Sequence, residues 1–354
     1  MLRKITKYFV LSASIVVALC LLLSYLSAFV SPATFWPLAF FGLVFQLFFV
    51  LNVILGIVWL CLKKKYVFIH LAVILVGFPY LGYFVQFSGK NAPEGEKTIK
   101  ILSYNVHTFN LIKDECTYNE VAGFLNTESA DVVCLQEFFS LNNGRHSEKE
   151  FIEQLDDLPY HHIFYNAVNK NSSFGLAIFS RYPIVGTGEF QFPKSGNAAI
   201  YVDVDINGKV LRVYNNHLQS TKFSLSKLLS GFSNEDKRIN ELVNASSQIK
   251  QAFIKRAEQV DRVSSHISSS PYPAVVCGDF NDTPVSYTYR KMKGDLKDAF
   301  IVAGKGIPST YRGFFPSFRI DYIFYDARLN AYSYKVGDIT YSDHYPISVE
   351  LAGF

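Results

Sequence analysis

The sequence predicts an α/β fold, a layered domain behind a membrane region of three helices, and three observations predict it. No charged residue occurs between Lys7 and Lys63. From residue 98 onward, short apolar runs alternate with loops and a few helical patches, the pattern of a layered α/β domain. Asn, Glu, His and Asp recur where those runs end. Hydrophobic residues make up 49% of the 354, and the excess lies before residue 88.

The membrane region comes first. A bilayer span needs roughly 20 apolar residues. The first span is expected at about 8–30 and is followed by the Pro-containing turn "SPATFWP". The second is expected at about 38–62, where Lys63, Lys64 and Lys65 stop it, and the third at about 66–87. A cleaved signal peptide is a poor alternative, because its apolar region spans only about 7–15 residues. Arg3, Lys4 and Lys7 precede the first span, and the triple lysine lies between the second and third. Lys/Arg-rich loops stay in the cytoplasm. Three spans then place the large domain on the periplasmic or outer side of the inner membrane, in a multi-pass protein. His70 lies near the cytoplasmic end of the third span and is read as interfacial.

"SGKNAPEGEK" ends the membrane region (1–88) and supplies a linker (89–97), which leaves 98–354 for one large domain. Residues 1–96 hold seven Lys/Arg and two Asp/Glu, and 97–354 hold 27 against 28, a net charge of −1. Five cysteines show no spacing that suggests a disulfide framework or a zinc site, and Cys134 and Cys277 are expected as separate buried thiols.

In the large domain the expected strands are "TIKILSYNV", "ADVVCLQE", "GLAIFSRYPI", "AIYVDVDI", "VLRVYNNHL", "PAVVCGDF", "IDYIFY" and "HYPISVEL". The expected helices are "YNEVAGFLNTES", "EKEFIEQLDD" and a long one over 235–268. The stretch 220–236 mixes Ser, Gly and Lys with Phe and Leu and is a candidate lid.

Strand ends carry the chemistry. Taken singly, an Asn after a strand is a turn residue and a Glu a surface carboxylate. Together, in order, stand "SYNVH", "LQE", "SRYPI", "NNHL", "GDFN", "RIDYI" and "SDHYP". This order resembles the endonuclease/exonuclease/phosphatase superfamily over about residues 98–352. The resemblance implies a four-layer αββα sandwich of two mixed, mostly antiparallel sheets, with strand ends converging on a divalent metal, Mg2+ or Mn2+. It further implies phosphoester hydrolysis by direct water attack.

Hydrolysis of a phosphoester pushes an anionic nucleophile at an anion, so the site must neutralise charge, activate water and stabilise the leaving oxygen. Magnesium prefers oxygen ligands. Glu137 is the first candidate ligand, Asn105 offers an amide oxygen beside it, and Asp321 matches a family position near the phosphate or the metal. Asp279 can take the proton of the attacking water. Asn281 can hold a phosphoryl oxygen or the water, and His217 and His344 can donate to phosphoryl or leaving-group oxygens. A carboxylate must orient His344. Neighbours on a strand point to opposite sides, so Asp343 does not simply support it, and Asp279 by resemblance or Asp343 directly remains the choice. Arg181 reads as a structural ion pair, His107 as a surface residue, and His161–His162 as a pair without a third ligand.

The expected partners are a phosphoester substrate (lipid, small molecule or nucleic acid) and the bilayer, with no protein partner. No Lys/Arg run is interleaved with aromatics, the signature of a nucleic-acid surface; "YRKMKGDLKD" comes nearest, and its acids dilute it. The expected function is a membrane-anchored, metal-dependent phosphoesterase acting on a lipid or small molecule. The alternatives are a surface or periplasmic nuclease and an inactive membrane-tethered binding module.

Overall fold

In a computed structural model, residues 2–113, 116–142, 144–193, 195–221, 235–312 and 318–354 are described. Most of the stretch expected as a lid, 220–236, lies outside them. The chain forms two compact units, neither contiguous in sequence: residues 1–83, 220–258 and 282–290 make one, and 84–219, 259–281 and 291–354 the other.

The first unit begins with six helices: α1 (Leu2–Ser27), α2 (Pro32–Phe35), α3 (Pro37–Leu43), α4 (Phe45–Cys61), α5 (Val67–Val76) and α6 (Phe78–Leu81). Where three spans were expected, one helix stretch, Ile5–Ser27, is long and apolar enough to cross a membrane. A second span exists only if α3 and α4 count as one, and they meet at a 65° bend where Val44 leaves helical geometry (φ −100°, ψ 18°). The third expected span breaks after the ten residues of α5, where Pro79 forces a new helix start. Ten residues reach about 15 Å, half of a hydrocarbon core.

Polar side chains tie these helices together. Trp59 Nε1 donates to Ser14 Oγ (2.8 Å), Tyr25 Oη to the Val73 carbonyl (3.2 Å) and Asn52 Nδ2 to the Val17 carbonyl (3.1 Å). His70, expected as interfacial, is fully buried, with Nδ1 2.9 Å from Asn52 Oδ1. Phe9, Leu60, Phe68 and Leu75 stay exposed.

The second unit carries the strands: β1 (Ile99–Asn105), β2 (Val132–Leu141), β3 (Tyr160–Val168), β4 (Ser172–Ser180), β5 (Ile184–Gln191), β6 (Ala198–Ile206), β7 (Lys209–His217), β8 (Ala274–Asp279), β9 (Lys297–Asp298), β10 (Asp321–Tyr325), β11 (Asn330–Val336) and β12 (Ile347–Ala352). Its helices are α7 (Tyr118–Glu128) and α8 (Glu148–Glu153); α9 (Glu235–Ser268) and α10 (Tyr287–Lys293) each begin in the first unit and end in the second, which also holds α11 (Ala299–Ala303). Among the described residues the strands make two six-stranded sheets, β11-β12-β1-β2-β4-β3 and β5-β6-β7-β8-β10-β9. Each is mixed: β1–β2 and β7–β8 pair parallel, the other pairs antiparallel.

Alternation along the strands builds two cores. Ile101, Cys134 and Ile178 face Ile200, Val213, Cys277 and Ile323 between the sheets. Leu102, Tyr104, Val133 and Leu135 turn outward onto α7 and Phe151 of α8. The end of α9 covers the other sheet, where His266 Nδ1 lies 2.9 Å from Tyr214 Oη. Both faces of the central strands are therefore buried, which is why they read as near-continuous apolar runs. Cys134 and Cys277 are free, buried thiols, as expected. They share the core between the sheets, and burial followed by the neighbouring Cys134 raises the Cys277 thiol well above its usual value.

Asp298 caps α11 through the Phe300 amide (2.9 Å) and pairs bidentately with buried Arg319 (3.1 and 2.7 Å), fixing the approach to β10. Breaking such a buried pair by removing one partner costs about 3–5 kcal/mol. At the end of the expected third span Gln86 and Gly306 exchange backbone hydrogen bonds (3.0 and 2.7 Å), and at the start of the expected linker the Ser333 amide donates to the Lys90 carbonyl (2.7 Å).

Candidate active site

Register places the site. His217 ends β7 beside Asp279 at the end of parallel β8, and Asp321 opens antiparallel β10 opposite the same Asp279. All three share the side of the strand that carries Val213, Cys277 and Ile323 into the core between the sheets. Asn105 ends β1 in the facing sheet, on the same side as Ile101. Gly278 brings β8 close to β7: its φ is +132°, and a Cβ there would lie 2.0 Å from the Asn216 carbonyl oxygen.

Glu137 does not end its strand. It sits at a β-bulge inside β2, with φ +54°, where the register slips between Gln136 and Phe138. Without the bulge it would face the outer core. The extra residue leaves Phe138 in that outer core and points Glu137 at the site, a known use of bulges.

Asp279 is the hub. Oδ1 accepts from the Asn281 amide (2.8 Å); Oδ2 accepts from Asn281 Nδ2 (3.0 Å) and Asn105 Nδ2 (3.0 Å). His344 Nε2 lies 3.7 Å and His217 Nε2 3.9 Å from Oδ2. Burial raises the Asp279 carboxyl to about 6, against the pull of the His344 imidazolium. Asn105 thus turns its Nδ2 to Asp279, and to Glu137 at 3.4 Å, where an amide oxygen was expected for a metal.

Asp321 corrects a second expectation. Its oxygens lie 3.0 and 3.2 Å from His344 Nδ1, so Asp321, rather than Asp279 or Asp343, orients the ring. Burial alone would lower the His344 pKa; the Asp321 and Asp279 carboxylates outweigh it and hold it at about 10. Asp343 points the other way, with Oδ1 3.0 Å from His107 Nδ1. That nitrogen is also 3.9 Å from Glu137 Oε2, so His107 belongs to the site and is not a surface residue.

Four further residues were missed. Thr310 Oγ1 accepts from the Ile320 and Asp321 amides (3.0 and 3.1 Å). Tyr311 pairs with His344 in a bridge and packs its ring 5.0 Å away; burial and then Asp343, Asp279 and Glu137 raise its phenol. Ser342 Oγ donates to the Asn105 carbonyl (2.7 Å), and the Arg312 amide to the Asp343 carbonyl (2.8 Å). Outside the site, Arg181 makes the expected ion pair with Asp131 (2.8 Å), and His162 faces Glu189 (3.5 Å).

Asp279, Asp321 and His344 each offer an atom within 4.8 Å of the others, a possible metal group. Both ring nitrogens of His344 already face carboxylates, which suits an imidazolium better than a ligand. Glu137 and Asp343 are half-buried carboxylates on the solvent side, and such oxygens fit a hard divalent cation.

Residues 102–344 match the Endonuclease/Exonuclease/phosphatase family, and residues 7–84 match a domain of unknown function (DUF8431). Three solved structures share the fold. The endonuclease/exonuclease/phosphatase from Beutenbergia cavernae is 20% identical, with 72% of each chain covered and a TM-score of 0.54. The mannosyl-6-phosphatase of Bacteroides thetaiotaomicron is 19% identical over 72% of this chain and 99% of that one, with a TM-score of 0.51. The human Nocturnin catalytic domain, with bound sulfate, is 16% identical over 73% and 95%, with a TM-score of 0.52. No curated protein matches the chain.

Proposed function

Because the chain belongs to the Endonuclease/Exonuclease/phosphatase family, we propose that it is a divalent-metal-dependent phosphoesterase, anchored to a membrane through α1 and acting on a lipid or small-molecule phosphoester. The observation that carries the reading is the hub at Asp279, buried, raised in pKa and held by Asn281 and Asn105 between two histidines.

The chain's own groups account for each step. Asp279 takes the proton of the attacking water. Asn281 and Asn105 fix its carboxylate, so no reorganisation is needed as the proton moves. Asp321 holds His344 Nδ1, which leaves Nε2–H aimed into the site to stabilise negative charge on the phosphoryl group. His217 supplies a second donor. Glu137 and Asp343 would hold the cation, which when bound neutralises phosphate charge and polarises a phosphoryl oxygen.

The test is hydrolysis of a generic phosphodiester and of phospholipid, polyprenyl phosphate and duplex DNA in mixed micelles at about 150 mM salt. We expect turnover with Mg2+ or Mn2+, none with chelator, and lipid preferred over DNA. The lean rests on the net charge of −1 in 97–354, since nucleic-acid affinity draws on Lys/Arg contacts to phosphate. Faster cleavage of DNA would replace it with a nuclease. Glu137→Ala is expected to raise the metal concentration for half-maximal rate at least tenfold. An unchanged metal titration would remove Glu137 from the cation site.

The anchor reading rests on α1, whose Ser14 and Tyr25 bond other helices of its unit, as a retained segment would. With the N-terminus cytoplasmic, α1 as one span puts the hydrolase unit outside, whereas the α3–α4 pair as a second span would return it. We expect Glu94→Cys to react with an impermeant thiol reagent before the inner membrane is broken. Reaction only afterwards reverses the side.

A further inference from the structure

Asp343 and His344 stand in the connection between β11 and β12, residues 337–346, which is a strand of neither sheet. Connections are the mobile parts of a fold unless they are tied down, and a site residue must be held to within about 0.5 Å of its working position. We propose that Asn110 is a positioning residue for the reaction: its side-chain amide, with the Thr117 hydroxyl, holds the Tyr341 carbonyl and so the segment that carries Asp343 and His344, and a left-handed turn at residues 107–110 puts it there. The proposal rests on the phosphoesterase reading of the site, and every residue in it belongs to the second unit.

The connection is tied on two sides. On one, the Arg312 amide donates to the Asp343 carbonyl (2.8 Å) and the Tyr345 amide to the Thr310 carbonyl (2.7 Å). On the other, Ser342 Oγ donates to the Asn105 carbonyl (2.7 Å). Beside it, the Tyr341 carbonyl accepts from Asn110 Nδ2 (2.9 Å) and from Thr117 Oγ1 (3.0 Å). A carbonyl oxygen has two lone pairs, and here both are used. Thr117 is the cap residue of α7, where a threonine hydroxyl normally accepts from the first turn of its helix. It makes no such bond and donates to Tyr341 instead.

Asn110 reaches Tyr341 through an uncommon turn. His107, Thr108, Phe109 and Asn110 have φ of 46°, 53°, 54° and 52°, four consecutive left-handed residues without a glycine. L-residues visit this region singly, and a β-branched threonine there is an outlier. Asparagine is among the few side chains that tolerate it. Packing maintains the turn. Phe109 is fully buried, with its ring 5.0 Å from that of Tyr118, 5.2 Å from Phe151 and 5.6 Å from Phe138. Backbone bonds close it, from the Phe109 amide to the Val106 carbonyl (2.8 Å) and from the Thr117 amide to the Phe109 carbonyl (2.9 Å). Phe109 thus enters the outer core while the residues on either side of it meet the connection, His107 at Asp343 and Asn110 at Tyr341. Backbone strain persists where the surroundings over-determine it, and it gathers at functional sites. Misplacement of a catalytic group by about 1 Å can cost about 10²-fold in rate.

The experiment uses full-length protein in detergent micelles, with bis(p-nitrophenyl) phosphate as substrate. Exchange of the His344 amide, which donates to Ser342 Oγ (3.2 Å), is a readout that needs no substrate. Asn110→Gly removes the side-chain amide and keeps the left-handed backbone at no steric cost, whereas Asn110→Ala removes the amide and adds that cost. We expect both to lower kcat to the same extent, about 10-fold, with KM within about twofold of wild type. Both should speed exchange at His344 and leave β1 and β12 unchanged, and Asn110→Ala should melt below Asn110→Gly. Thr117→Val should lower kcat about 3- to 10-fold, the worth of one hydrogen bond, and Thr117→Ser, which keeps the hydroxyl, should retain it. If kcat follows melting, falling in Asn110→Ala and not in Asn110→Gly, the role is structural and the proposal fails. Wild-type exchange at His344 in Asn110→Gly also overturns it, because the amide then does not hold the connection. Should Asn110→Gly fail to fold, equal kcat in Thr117→Val and Thr117→Ser overturns it instead. A wild type that hydrolyses no phosphoester sinks the phosphoesterase reading, and exchange at His344 then decides alone whether Asn110 holds the connection.

Discussion

Asp279→Asn is expected to lower kcat by about two to four orders of magnitude, the usual contribution of a general base. Asparagine keeps the shape and an acceptor for the Asn281 amide, 2.8 Å away, but cannot take a proton from water. Relief of the carboxylate's desolvation favours folding, but the new Nδ2 would face the Asn281 and Asn105 Nδ2 donors that Oδ2 now accepts, so the variant is expected to fold with a lowered melting temperature. The decisive measurements are single-turnover rates with saturating Mg2+ and thermal unfolding of the same preparation. A variant that keeps more than a tenth of the wild-type rate would take the base role away from Asp279. A variant that loses activity together with its melting transition would show only that Asp279 supports the fold.

The second large effect concerns the pair Asp321–His344. His344→Ala and Asp321→Asn are each expected to lower kcat by about 10²–10³-fold, with the double variant no more than about threefold worse than the weaker single. One ring and the carboxylate on its Nδ1, 3.0 Å away, act as a unit, so removing the second member takes little that remains. Asparagine at position 321 can still accept a hydrogen bond but carries no charge, so it loses the largest influence holding the imidazole protonated. Losses that multiply across the double variant would mean independent roles, and Asp321 would return to the metal.

The assignment of Asp321 marks the limit of reading along the chain. "RIDYI" and "SDHYP" were both visible as motifs, but 23 residues separate Asp321 from His344, and no periodicity says which carboxylate meets which nitrogen. The same holds for Glu137. Its identity stood out in "LQE", whereas the bulge that points it at the site is set by pairing with β4. Thr310 and Tyr311 carried no signal of their own, because their work is to bridge to residues 320–321 and 344.

Central strands were legible because both faces are buried and the run is apolar; β8 and β10 are buried at every position. The edge strands β3 and β5 and the partly exposed β11 were not proposed, since one side or an edge meets solvent and weakens the pattern. Helical spans were over-read for the opposite reason. Composition set an apolar run of adequate length over 66–87, but Pro79 and the Val44 break cut continuous helix from continuous hydropathy.

By itself, then, the sequence determined the α/β class, the apolar N-terminal region, and the residue types that gather at the site, because each is written in local composition, period and motif. Tertiary structure alone decided that Asp321 serves His344, that His107 lies beside Asp343 and Glu137, and that Asp282–Arg290 packs with the N-terminal helices. Those facts depend on strand register, a bulge and contacts across more than two hundred residues, and such long-range pairings leave no trace in any local window of the chain.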